Sequence, residues 1–366
     1  MKNYLIAFLI VGIFTISSFG QGCVAVRHMS CSVGTGANSN SMMHPGQWQI
    51  SLGFRNLHSY KHYVGTDYQP AREVAGTNVI NDQQSFDLGV TYSLTDRFSV
   101  AVNLPLNFNH RTSLYEHYGN AVTVNPAQKR FGTTANGIGD ARLTASYWLL
   151  DPLKHMNGNL SVGLGLKLPT GDWKANDKFH RRSSDGSDYT IEKPVDQSIQ
   201  LGDGGLGINL EIQGYQQLFK RTSIYYSGFY MSNPRNVNDA ANVAPDKVVT
   251  DEMVRYMSVA DQYAARLGLN YALAPKAGIG ATIGARIEGV PAYDLIGDSD
   301  GFRRPGYIVS IEPGISYSTA KNTFFVSMPV ATQRNRIKSA SDWVNNKHGD
   351  AAFADYFISA TVTHRF

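Results

Sequence analysis

Charge is scarce in this sequence. Asp, Glu, Lys and Arg make up 17% of its 366 residues, the formal net charge is +4, and no long Lys/Arg run occurs. Such a balance excludes the basic footprint that a nucleic-acid partner requires. Long apolar runs are also missing: beyond Ile16 nothing approaches the stretch a membrane-spanning helix needs. Cysteine is limited to Cys23 and Cys31. No C-x-x-C-H haem motif is present. The Cys23–Cys31 gap is too wide for the close pair of a structural zinc site, which would also have to recruit His28 and His44. Gly202-Asp203-Gly204-Gly205 lacks the strand–helix setting of a nucleotide loop. Neither cofactor nor metal is expected.

Tyrosine (20) and glycine (35) are plentiful, a mixture that suits many short strands and turns better than helices. The chain opens with Lys2, an apolar segment from Tyr4 to Ile16, and Ser18-Phe19-Gly20 as a small-x-small cleavage site. Residues 1–20 therefore read as a secretory signal peptide. In the oxidising compartment this implies, Cys23 and Cys31 are expected to form one disulfide. Lipidation of Cys23 is the second reading, for which Gly20-Gln21 is a poor lead-in. Residues 21–46, rich in Gly, Ser and Asn, read as an irregular periplasmic or plug segment ahead of a domain spanning 47–366.

That domain alternates with period two, the signature of a two-faced strand. Trp48, Ile50, Leu52 and Phe54 share one face against Gln49, Ser51, Gly53 and Arg55. Leu160 to Leu168 and Ile279 to Ile287 repeat the pattern, each opposed by a small or polar set. Segment 222–231 is aromatic on both faces, and its register stays open. About twelve such strands can be marked, joined by alternating short and long connections, which is the pattern of an outer-membrane barrel. The last strand, 353–366, ends the chain on Phe366, with His364 where an aromatic is usual. The expected fold is all-β: a transmembrane antiparallel up-and-down β-barrel of about twelve strands in the bacterial outer membrane. Its expected partners are outer-membrane lipid, the barrel-assembly machinery through the C-terminal strand, and a small-molecule solute.

Gly137-Ile138-Gly139-Asp140 followed by Tyr147-Trp148-Leu149-Leu150, and Gly165 to Asp172 (GLKLPTGD), carry a resemblance. The chain resembles the outer-membrane barrel family named for the meta-pathway of phenol degradation, described as transporters. The likeness covers roughly the whole mature barrel and implies passage of small aromatic or hydrophobic solutes. It brings no binding residues with it, and the Cys23–Cys31 segment has no counterpart in it.

Alternation turns a charged set inward: Arg55, Asp87, Asp140, Arg142, Lys167, Glu211, Arg266, Arg286, Glu288 and Glu312. Two readings stand, a constriction that selects solutes and a salt-bridged filling of the lumen; mixed signs favour the second. Two candidates could close the pore. The 169–204 connection could bring Lys174, Lys178, Arg181 and Arg182 towards Glu211, Glu288 and Glu312. Alternatively, residues 21–46 could enter from the periplasm, the favoured reading. Leu104-Pro105, Leu168-Pro169 and Met328-Pro329 are placed near strand ends, where ladder pairing stops. The carboxylates of 294–301 lack EF-hand spacing and read as an Asp/Gly turn. His58, Tyr60, His62 and Tyr63 read as rim residues of the first long loop. Outward faces hold no nucleophile–base pair, so an enzyme is not expected. The alternative to a channel is a surface barrel whose long loops bind ligands or partners.

Overall fold

A computed structural model describes residues 43–366, together with Gln21–Gly22. The expected signal peptide, Cys23, Cys31 and most of the 21–46 segment lie outside the described residues. Twelve antiparallel strands follow in order: β1 (Trp48–Val64), β2 (Ile80–Ser93), β3 (Phe98–Ser113), β4 in two pieces (Phe131–Ile138 and Arg142–Trp148) and β5 (Gly158–Lys167). Then come β6 (Gly207–Phe219), β7 (Thr222–Ser232), β8 (Gln262–Ala274), β9 (Ile279–Val290), β10 (Gly306–Ser318), β11 in two pieces (Asn322–Ser327 and Val330–Asn335) and β12 (Ala351–Arg365). Each pairs with its sequence neighbours, and β12 pairs back onto β1 from Gln49↔Arg365 to Tyr63↔Ala351. Closure matters because an open edge in hydrocarbon would leave backbone groups without partners. Gln21 and Gly22 pair with Ala354 and Phe353 on β12.

The alternation decides which face meets lipid. Leu52, Leu88, Val102, Leu164, Leu210, Leu267, Ile283 and Ile315 project outward and are exposed, an apolar belt around the wall. No helix among the described residues is long and apolar enough to cross a membrane. Inside, small residues make room for large neighbours. Added Cβ atoms on Gly268 and Gly284 would lie 2.6 and 2.5 Å from the Tyr225 hydroxyl, which spans two strands because both positions are glycine. The open register of β7 is thereby fixed. Tyr225, Phe229 and Met231 face the lumen, while Tyr226 covers Gly214 on the opposite face.

Several expectations need correction. The first outer connection is 65–79, because β1 and β2 run well past the belt. His58, Tyr60, His62 and Tyr63 therefore stand on β1 itself and not in a loop; the ladder persists where the outer face turns polar, since water tolerates it there. Pro105 is also interior: β3 continues to Ser113. It faces the interruption of β4 at 139–141, where the neighbouring ladder jumps from Asn103↔Arg142 to Leu106↔Ile138. Pro313 on β10 plays the same part opposite the Met328–Pro329 interruption of β11. A proline has no N–H to give, so a break in the next strand is least costly opposite one. The β4 break also reverses the pleat: Ile138 points outward, whereas Asp140 and Arg142 are buried.

Candidate functional site

The lumen divides into two halves. On the periplasmic side, short polar residues from nearly every strand line a cavity of about 240 Å³, among them Gln49, Thr91, Ser99, Ser146, Ser161 and Thr363. Trp148, Tyr215 and Tyr225 form an aromatic face on its wall, with the Trp148 and Tyr215 rings edge to face at 6.2 Å. Glu211 lies beside them and accepts hydrogen bonds from Asn209 Nδ2 and from Thr144 Oγ1 at 3.4 Å. The buried hydroxyls of Tyr215 and Ser227 find no protein partner among the described residues.

Above this cavity the expected charged residues do not form one ring. They sort into separate clusters. Glu288 joins Arg286 (Nε to Oε2, 2.9 Å) to Arg55 (Nη2 to Oε1, 3.2 Å). The two guanidiniums lie 4.2 and 5.1 Å from the ring centre of Phe357. Arg266 forms a two-pronged pair with Glu312, at 2.8 and 2.6 Å, and Ser327 Oγ donates to the same carboxylate at 2.8 Å. Arg142 pairs with Asp87 at 2.6 Å across β3. Asp140 accepts from the backbone N–H groups of Gly171 and Asp203, both at 3.0 Å, and Lys167 pairs with Asp203. The geometry is that of neutralised, hydrogen-bonded pairs.

The outer half is closed by the end of the 168–206 connection. This connection first forms a surface hairpin (Asn176–Arg182 with Asp188–Pro194), then turns inward through a short 3₁₀ turn, Gln197–Ile199. Val195, Ile199 and Leu201 are buried against Ala135 on the inner face of β4. The segment also bridges the lumen. On one side Gln83 Nε2 donates to Ser198 O (2.8 Å) and Asn109 Nδ2 to Ile199 O (3.1 Å). On the other, Gln197 Nε2 donates to Ser258 O (2.8 Å). Asp196 is its anchor: Arg304 grips it at 2.9 and 2.7 Å, Arg111 approaches to 3.4 Å, and Ser198 caps it through Oγ (2.7 Å) and N (3.0 Å). Burial alone would raise the Asp196 carboxyl; the flanking Arg111 and Arg304 guanidiniums overturn that and hold it well below the usual carboxylate range.

The residues expected to lead this connection inward do not. Arg181 stays in the loop layer, pairing with Asp246 at 2.9 Å, because Glu288 and Glu312 already have their arginines. Sequence reading missed Asp196, Asp203, Arg111 and Arg304. Arg111 was within reach, since continuing the β3 alternation past Phe108 turns it inward; the aspartates lie in a segment without periodicity. In the outer layer, burial pushes the His117 imidazole down to about 4, and its Nδ1 accepts from the His180 N–H at 3.1 Å. Asp294 is held by Arg303, and no three metal-ligating side chains converge among the described residues.

No family model and no curated protein matches the sequence. Among solved structures, the chain is similar to the COG4313 outer membrane channel from Pseudomonas putida F1. That likeness has a TM-score of 0.56 and 14% identity and covers 93% of this chain and 100% of that one. Looser likenesses include the P. putida toluene transporter TodX (TM-score 0.41, 10% identity, 95% and 99% covered) and the beta domain of the Bordetella autotransporter BrkA (0.46, 12%, 88% and 100%). At that level two different activities share the likeness, and neither carries an argument here. The first likeness speaks for the fold: the chain is a closed twelve-stranded barrel of the bacterial outer-membrane type.

Proposed function

We propose that this barrel is an outer-membrane channel for small solutes with an aromatic or hydrophobic body. The observation that carries the reading is the periplasmic cavity, about 240 Å³ in size, with Trp148, Tyr215 and Tyr225 on its wall among hydroxyl groups. Aromatic faces hold apolar rings, and a few placed polar groups orient them. The resemblance to the phenol meta-pathway barrel family points the same way. The charged pairs above serve as filling, which leaves the channel without strong preference for ions of either sign. Solute-dependent swelling of liposomes holding the purified chain tests this. Monoaromatic solutes are expected to enter faster than sugars of similar size, and Tyr215→Ala with Tyr225→Ala is expected to erase that preference. Equal entry of both classes in the wild type would refute the reading.

A second reading, a non-transporting surface barrel, draws on the inward segment that bridges the outer lumen. It requires the wild type to admit neither class, with ligands or partners held by the outer loops.

A further inference from the structure

Three tyrosines mark the extracellular edge of the apolar belt. Tyr230, Tyr263 and Tyr307 stand on the outer face of β7, β8 and β10 in one cross-strand row, through Tyr230↔Tyr263, Tyr263↔Gly289 and Gly289↔Tyr307. Interfacial tyrosines sit where hydrocarbon gives way to headgroups. The connection between β9 and β10 bends over this row on the outside of the barrel. Leu295 N donates to Asp261 Oδ2 at 2.8 Å, and the Tyr230 hydroxyl donates to the same oxygen at 2.8 Å. Asn233 N takes the other Asp261 oxygen (2.7 Å), and Asp261 N donates to Asp294 Oδ1 (2.8 Å).

This loop is pinned. Arg303 holds Asp294 at 2.8 and 2.6 Å, with both side chains almost wholly buried. Gly297 (φ 92°) lies so close to Pro234 that an added Cβ would come within 2.8 Å of its carbonyl oxygen. Nevertheless Tyr293, Leu295 and Ile296 are 60, 71 and 50% exposed. A fixed loop cannot fold such side chains away, and an apolar patch held outward is the mark of a contact surface. It continues the lipid belt directly above Tyr263, which identifies its occupant.

We propose that the 293–297 loop is a lipid anchor. Tyr293, Leu295 and Ile296 dip into the outer leaflet at the boundary between acyl chains and headgroups, and fix the depth of the β7–β10 side of the barrel. The test is a nitroxide at Leu295→Cys or Ile296→Cys, in the full chain carrying Cys23→Ser and Cys31→Ser, in phosphatidylethanolamine–phosphatidylglycerol vesicles. References are Leu267→Cys in the belt and Val248→Cys in an exposed outer loop. Power-saturation accessibility at 295 and 296 is expected to resemble 267: high to oxygen and low to a water-soluble nickel chelate. Accessibility like that of 248 at both sites overturns the proposal. So does strong spin–spin broadening that vanishes on dilution with unlabelled chain, since a second copy would then cover the patch. Because the readout is depth and not transport, it stands apart from the channel reading.

Discussion

The two halves of the lumen are built from the same twelve strands, yet among the described residues the periplasmic half holds a cavity of about 240 Å³ and the outer half pockets of about 40 and 20 Å³. Below, short hydroxyls and amides share the wall with Trp148, Tyr215 and Tyr225 and leave a cavity between them. Above, arginines and carboxylates fill the bore in pairs, and the 195–203 segment ties the β2–β3 wall to the connections that follow β7 and β9. The difference teaches that bore width is set less by strand number than by side-chain length and by what the loops return. Twelve strands lie between filled eight-stranded barrels and open porins, so either outcome is open to the fold.

Removing the inward segment should break the contrast most completely. Replacing residues 196–203 with a short Gly/Ser link is expected to raise single-channel conductance clearly, with heat-modifiable barrel yield unchanged. The expected N-terminal plug is tested beside it by deleting residues 24–44. Conductance that rises in that deletion alone would move the gate from the loop to the N-terminus.

Next in size is Glu288→Gln. It leaves Arg55 and Arg286 without their shared carboxylate in a buried site, a loss of about 3–5 kcal/mol by the usual cost of breaking a buried pair. Reversible urea unfolding in lipid vesicles measures it; a loss under about 1 kcal/mol would mean water already screens the cluster. Asp196→Asn should cost less stability, since the segment remains packed by Ile199 and Leu201, but should loosen the closure. Faster hydrogen exchange at 195–203 than in the wild type is the expected readout.

Acid should separate the halves more gently. His117 has a depressed value near 4 against an unfolded value near 6.5, so the unfolded chain binds more protons in that window. Stability of the outer layer is thus complete above about pH 6.5, declines as pH falls towards 4, and then levels off. Asp196 is depressed as well, so its contribution is complete above the usual carboxylate range and is lost progressively as the pH falls through and below that range. Amide protection across 176–194, taken relative to the intrinsic exchange rate at each pH, should fall from pH 6.5 to 4, and His117→Phe should flatten that slope. The smallest effect belongs to the hollow half: Ser146→Ala is expected to change stability by no more than about 0.5 kcal/mol.

Neighbouring residues were enough to determine the wall. Which side chain faces lipid depends on a period of two, written locally at Leu160 to Leu168 or Ile279 to Ile287, and the apolar set then has one place to go. The strand count and the alternation of short and long connections were legible for the same reason. Where the two prolines sit in the ladder was not, because a proline's acceptability at 105 or 313 depends on a break in the adjacent strand. Nor were the partners of the inward charges. Arg55 meets Glu288 across 233 positions of sequence, a distance fixed by barrel curvature and strand stagger. Asp196 and Asp203 lie in an aperiodic segment, where nothing local tells an inward turn from an outer loop. Their place was decided by tertiary structure, through a buried carboxylate's need for cations: pairing of β5 with β6 brings Lys167 to Asp203, and the closed barrel brings Arg304 to Asp196.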